Sequence, residues 1–378
     1  MTRRERYLAA LRNQLVDELV WAPNFDYWLH VHTAEGTLPG KYRGMSRNDI
    51  VRAVGGYIWN RTGGAKAVLD ASVKQTWLDQ GETWVHGIQT PRGTIRQVHT
   101  QAEGPHRTRA LTEHFIKDLV SLRVLKYVVE ATHYEPDYAP VEQALRETGD
   151  DGVVLSGADA VPFIQFAKTD AGYLNAFYLW ADHRKEVDEL IAAYSRLFLE
   201  RIRVLAGGPA DVIAMGDNMD GATISPAIFQ EYAVPFYQEA RRIVKPAGKV
   251  FEGHWCGRTE TLLHLVPGCG LDVVEAIVTS PMAKIELPAA LDLLRGEVVL
   301  QGGIPSVLVC PETCTDREFE TYLRKTVVPL RGRRGFIVGM SDNVPPNADF
   351  ARVEALAGLL GAGAAGSARR TRRRVAKR

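Results

Sequence analysis

From about residue 150 the chain alternates short apolar runs with longer segments of helical period. The runs are GVVLSG (152–157), ADVIAMGD (210–217), KVFEGHW (249–255), DVVEAI (272–277), EVVLQGG (297–303) and GFIVGMSD (335–342). Each is rich in β-branched residues and apolar at consecutive positions, the pattern of parallel strands buried on both faces. Between them lie helical patterns such as 226–244, with Ser225 placed as N-cap and Pro226 at the first helical position, where a missing N–H costs nothing. Upstream, LVWAPNF (19–25) predicts a first strand. Residues 73–101 alternate polar and apolar around DQGE and TPRGT turns, which predicts antiparallel hairpins. Seven or eight parallel strands spread over about 350 residues fit an α/β chain folded as a (β/α)8 TIM barrel with an N-terminal β-hairpin excursion, better than they fit a doubly wound sheet. No G-x-G-x-x-G follows an early strand, so a dinucleotide fold lacks its signature.

Composition narrows this only slightly. With 46% hydrophobic and 24% charged residues in 378, the chain is of ordinary globular type. The charge is uneven: the last twelve residues, SARRTRRRVAKR, hold seven positive charges and no acid, so the formal +1 of the whole leaves −6 for the body. Residues 1–362 are therefore expected to form one barrel domain and 363–378 a disordered basic tail, with no specific nucleic-acid role. The N-terminus is a charged amphipathic helical pattern without an apolar signal core, and no run of eighteen apolar residues occurs, so a cytoplasmic protein without a membrane segment is expected. The four cysteines, Cys256, Cys269, Cys310 and Cys314, all fall in the second half, where they read as free thiols or ligands rather than a disulfide framework.

In a barrel of this kind the chemistry sits at the C-terminal strand ends. That places Asp217, Asp220, His254, Cys256, Glu275, Gln301, Asp342 and Asn343 around one mouth. On a strand, His254 and Cys256 project to the same side, with Glu252 one step below. An imidazole and a thiolate so placed suit Zn²⁺, and Asp342 is the natural oxygen ligand by position. Cys269 lies in a turn at the opposite end, and the C-x3-C pair Cys310 and Cys314 lies in a loop that could approach the mouth. Asp217 and Asp220 read equally as turn formers or as groups that bind substrate or orient a ligand. Glu275, inside an apolar run, needs a partner to repay its burial, either a metal-bound histidine or the metal itself. Tyr27, Trp28, His30 and His32 line the mouth or pack in the core.

The segments EGHWCGRTETLL, GLDVVEAI, LQGGIP and GMSDNVPPNADFARVEAL resemble, as a set, the uroporphyrinogen decarboxylase superfamily, in particular its zinc-dependent methylcobamide:thiol methyltransferases and related corrinoid-linked demethylation enzymes. The likeness covers roughly residues 150–362 and implies a single (β/α)8 barrel. It implies one zinc per chain on His254 and Cys256, and a methylcobamide carried by a separate corrinoid protein. The small-molecule partner is a thiol acceptor or a methoxy-type donor, and a homodimer is consistent with the family. Catalytic roles then fall to Glu275 and Asp217, and substrate contacts to Asp220, Gln301, Asn343 and Tyr27. Where that branch has a third cysteine ligand this chain has Ser341 and Asp342, so Asp342 is expected to complete the site. The decarboxylase branch carries an arginine-rich segment after its first strand, whereas APNFDYWLHVH has no arginine, which makes a carboxy-lyase the second expectation. A non-catalytic barrel paralogue is the third.

Overall fold

The structure, a computed structural model, describes residues 1–102 and 108–360. The expected basic tail at 363–378 lies outside the described residues. In chain order the strands are β1 (Ile58–Thr62), β2 (Ala65–Leu69), β3 (Lys74–Asp79), β4 (Thr83–Thr90), β5 (Gly93–Gln101), β6 (Arg109–Glu113) and β7 (Thr132–Pro136). They continue as β8 (Gly152–Ala158), β9 (Val212–Met215), β10 (Val250–His254), β11 (Val273–Ile277), β12 (Val299–Ile304) and β13 (Phe336–Met340). The architecture is α/β, with a parallel seven-stranded sheet in the order β1-β8-β9-β10-β11-β12-β13 that matches a TIM-barrel-like fold. Residues 20–22 join its two edges: Val338 N donates to Val20 O at 2.9 Å, Ala22 N to Val338 O at 2.8 Å, and Tyr57 N to Trp21 O at 2.7 Å.

The expected first strand at 19–25 is therefore cut to this short link. Pro23 has no N–H to extend the ladder, and Asp26 already starts a helix. The strand at 58–62 was not foreseen, because only Ile58 and Trp59 in IWNRT are apolar. Helix 226–244 forms from the Ser225 cap, whose hydroxyl accepts from Ile228 N, but a π turn at Phe229–Ala233 interrupts it just before Pro235, which cannot donate to the helical ladder. The inserted segment between β1 and β8 carries a four-stranded antiparallel sheet, β3-β4-β5-β6, and a separate β2-β7 pair.

Both faces of the parallel sheet are buried, one under the outer helices and the other around a small inner cluster. That inner cluster holds Val153, Val212, Val250, Val273, Val299 and Ile337, together with Tyr7, Ala10 and Leu11 from α1 (Arg3–Leu11). Helix α1 opens on a Thr2–Glu5 capping box. It is pinned by Arg3 to the carbonyls of Gly55 and Gly56, and by Arg4 to Gly152 O and Asp211 at the starts of β8 and β9. The N-terminal ends of the strands are thus plugged, and the opposite ends are left for chemistry.

Candidate functional site

His254 ends β10 and is paired in register with Glu275 on β11. Its Nδ1 lies 2.5 Å from Glu275 Oε2, and its Nε2 faces Asp342 Oδ1 at 3.8 Å. Cys256, half-buried and unbridged, lies close enough to the same imidazole to act on its charge. Burial opposes the charged ring, but Cys256 and Glu275 outweigh it, and the His254 pKa is pushed up to about 10.

Two local irregularities build this arrangement. Strand β11 slips register between Glu275 and Ile277, with Ala276 at φ 68°. Such a bulge turns side chains relative to a regular strand. Here Val274 and Ile277 both pack among the outer helices while Val273 belongs to the inner cluster. The neighbour β12 makes room with Gly302, at φ +124°, where a Cβ would come within 3.1 Å of Ile277 N. At the other irregularity Gly257 lets the chain leave β10 against the 219–221 loop, since a Cβ there would meet Asp220 Cβ at 2.5 Å. The two segments are zipped by Gly257 N to Met219 O at 3.0 Å and Gly221 N to Arg258 O at 2.8 Å.

Below His254 lies a polar layer. Glu252 is buried with Oε1 unpartnered among the described residues, and its pKa is pushed up to about 8 by burial first and by the Glu275 charge second. Gln301, equally buried, accepts from Tyr7 Oη at 3.0 Å and so ties the layer to the α1 plug. Arg61 of β1 approaches the two carboxylates from across the barrel, at 3.6 Å from Glu275 and 3.9 Å from Glu252.

The other expected residues are placed as follows. Asp217 is fully buried with both oxygens engaged, accepting from Val161 N at 2.8 Å and Tyr237 Oη at 2.7 Å. Burial pushes its pKa up to about 6. Asp220 shapes its turn, accepting from Ala222 N at 2.8 Å. Asn343 donates to Asp342 Oδ2 at 2.9 Å, and Tyr27 is half-buried on α2 (Asp26–Ala34). Trp28 stacks on Phe350 and His32 binds Thr37 and Pro346 O, so these two serve packing. Cys269 is buried beside Tyr237, and burial pushes its thiol up to about 12. Cys310 and Cys314 are buried in their own loop, against Ser306 O, Asn347 and Thr315 O.

Three residues at the mouth carried no usable sequence signal: Arg61, Arg47 and Lys168. Lys168 sits half-buried in a π turn (Gln165–Asp170), its pKa lowered by burial against the opposing charges of Cys256 and Asp217. A π turn has no recognisable residue pattern here, and Arg61 was hidden in an unrecognised strand.

Among the described residues no group of three or more His, Cys, Asp and Glu side chains stands close enough to enclose a metal ion. The donor chemistry nevertheless fits one. A carboxylate holds Nδ1 of His254, as outer partners hold metal-binding histidines, and leaves Nε2 facing the Asp342 carboxylate, with Cys256 near the ring. His254 and Cys256 would supply nitrogen and sulfur, and a side-chain rotation of the part-exposed Asp342 would supply oxygen.

Residues 113–360 match the family described as "Uroporphyrinogen decarboxylase (URO-D)". Among solved structures, a methyltransferase from Methanosarcina mazei superposes with a TM-score of 0.60 at 15% identity, covering 96% of this chain and 98% of that one. A D-psicose 3-epimerase from Clostridium cellulolyticum H10 gives a TM-score of 0.35 at 13% identity, covering 60% and 83%. No curated protein sequence matches the chain. The M. mazei likeness is one of fold. The family match spans more than half of the chain and includes the strand ends bearing His254, Cys256, Glu275 and Asp342, and on that ground the chain belongs to the uroporphyrinogen decarboxylase family.

Proposed function

We propose that this chain is a methyl-group transferase that works with a separate corrinoid protein, taking a thiol acceptor or a methoxy-type donor at the barrel mouth. One observation carries the reading: an imidazole fixed through Nδ1 by a buried carboxylate, with its Nε2 turned toward a carboxylate and a thiol beside it, at the open strand ends. The fold shared with the M. mazei methyltransferase supports it. No membrane enters the proposal: among the described residues no helix is long and apolar enough to cross one.

His254, Cys256 and Asp342 would hold one zinc per chain. When bound, zinc supplies Lewis acidity, which lowers the pKa of a thiol or stabilises a departing alkoxide. Glu275 fixes the tautomer and tilt of His254. Asp217 acts as a positioning residue through Val161 and Tyr237, whose hydrogen bonds it accepts. Asp220, Asn343 and Tyr27 contact substrate at the rim, while Gln301 holds the floor through Tyr7.

The test is metal analysis of protein purified without chelators or affinity tags, wild type beside His254→Ala, Cys256→Ala and Asp342→Ala, followed by methyl transfer between methylcobalamin and thiols. One zinc per chain, lost in all three variants along with transfer, is the expected result. A wild type without metal would overturn the proposal in favour of a carboxy-lyase or a non-catalytic barrel.

A further inference from the structure

Beside the His254 cluster, on the β1 side of the mouth, lies a cavity of about 170 Å³ lined by Asn24, Asp26, Arg47, Trp59, Asn60 and Arg61. It adjoins the candidate centre on two sides. Asn24 Nδ2 donates to Asp342 O at 2.7 Å, and Arg61 stands 3.6 Å from Glu275.

Its walls are fixed. Trp59 is held by its indole N–H on Pro23 O at 2.9 Å. Asn60 donates to Thr148 Oγ1 at 2.8 Å, which leaves its carbonyl oxygen toward Arg47 at 3.4 Å. Arg47 is also tied to Asp26 at 2.6 Å, so these two charges balance locally. Arg61 differs. Its guanidinium lies 5.4 Å from the Trp59 ring centroid and makes no hydrogen bond among the described residues. The two nearby carboxylates are beyond hydrogen-bonding distance, and Glu275 already spends Oε2 on His254 at 2.5 Å. Nη2 faces the two carboxylates, and the rest of this planar fork of N–H donors lines a small cavity with no hydrogen bond among the described residues.

We propose that this pocket is an anion subsite that takes the carboxylate of a small substrate, with Arg61 gripping it through paired N–H groups and Arg47 contributing from the side. Guanidinium and carboxylate match in geometry, and charge-assisted pairs of this kind are the strong class of hydrogen bond. The volume, room for roughly six water molecules, admits a carboxylate on one ring or a short chain. The inference rests on reading the adjoining strand ends as an active site, and it names the substrate as carboxylate-bearing.

Binding is measured by calorimetry on the full chain with benzoate and its neutral counterpart benzamide, using wild type, Arg61→Met, Arg47→Met, Arg61→Lys and His254→Ala. Wild type is expected to bind benzoate at least about tenfold more tightly than benzamide. That preference disappears in Arg61→Met, weakens in Arg47→Met, falls partway in Arg61→Lys, and survives in His254→Ala. Thermal unfolding of each variant checks that the fold is retained, and Arg61→Lys carries the test if Arg61→Met unfolds. Failure of benzoate to bind, equal binding of the two probes, or a preference that persists in Arg61→Met overturns the proposal. So does a preference lost in His254→Ala yet kept in Arg61→Met, which would place the carboxylate on a metal. Inorganic phosphate bound through Arg61 in place of benzoate also overturns it, by changing the ligand class. Zinc content and methyl transfer are read separately, so either proposal can fail alone.

Discussion

Two pairs of buried carboxylates, Asp170 with Asp217 and Glu252 with Glu275, are treated in opposite ways. In the wall formed by residues 161–170, 217 and 237, both acids, Asp170 and Asp217, are fully bonded. Asp217 takes Val161 N and Tyr237 Oη, and Asp170 takes Gln165 Nε2 at 3.0 Å and Tyr194 Oη at 2.8 Å. In the other pair, Glu252 keeps an oxygen with no hydrogen bond among the described residues and Glu275 has one committed partner, His254, with Arg61 standing off. Burial costs both pairs the hydration of a charge. The wall offsets that cost with neutral donors fixed in place, which makes a rigid support. The other pair leaves the cost partly standing, as residues do where an incoming group completes the set.

The largest effect belongs to the wall. Burial pushes the Asp170 pKa up to about 7, against the lowering hydrogen bonds of Tyr194 and Gln165, while in the unfolded chain it is about 3.9. The folded state therefore holds this proton more tightly. Stability from this group is complete below pH 4, declines as pH rises from about 4 to about 7, and stays at its lower level above. The loss is about 4 kcal/mol in all, of which roughly 3 kcal/mol falls between pH 5 and pH 8. Asp170→Asn removes the titration, so denaturant unfolding at pH 5 and pH 8 should show a decline in wild type that is smaller by that order in the variant. An identical decline in both proteins would mean that Asp170 is not held protonated, and the picture of a neutralised wall would fail.

In the other pair the effect shifts from stability to binding. Glu275→Gln keeps size and one acceptor but removes the anionic partner of His254. Zinc affinity is expected to fall about 10- to 100-fold, with transfer falling in step, because outer partners of metal-binding histidines carry that much. Unfolding free energy should change little beside that. A competition titration against a chelator reads the affinity directly. Unchanged affinity in Glu275→Gln would reduce the Glu275–His254 pair to a packing contact.

The same contrast explains what could be read from the chain alone. Strands β8 to β13 were legible because inner and outer faces are both apolar, and His254 with Cys256 was legible because i and i+2 spacing survives at a strand end. The link at 20–22 and the strand β1 were not. One is cut by Pro23, and the other is diluted by Asn60 and Arg61, which line the polar pocket beside the His254 cluster. Tyr237 and Val161, the partners of Asp217, and Tyr194, a partner of Asp170, come from other turns of the chain, while Gln165 shares the π turn of Asp170. No local pattern reveals that an acid has met them. Glu275 needed a partner on physical grounds, but the bulge at Ala276 that accompanies it has no residue signature, since alanine rarely takes a positive φ.

The smallest effect tests the boundary between the two regions. Asp220 lies in the loop that braces Cys256, with its side chain spent on Ala222 N and its carbonyl on Thr223 and Ile224. Asp220→Ala keeps the backbone bonds and the packing against Gly257, so a stability loss of about 1 kcal/mol or less is expected. Zinc content should be unchanged, because the zip between 219–221 and 257–258 is made by main-chain groups. Steady-state kinetics then separate two roles. If Asp220 touches substrate, KM for the methyl donor or acceptor rises while kcat holds, as when binding shared by ground and transition states is removed. If it only shapes the turn, KM and kcat stay at wild-type values and the loop belongs with Asp217 to the supporting wall. A variant that lost zinc would move the boundary the other way, since the turn at Asp220 would then be needed to keep Cys256 in place.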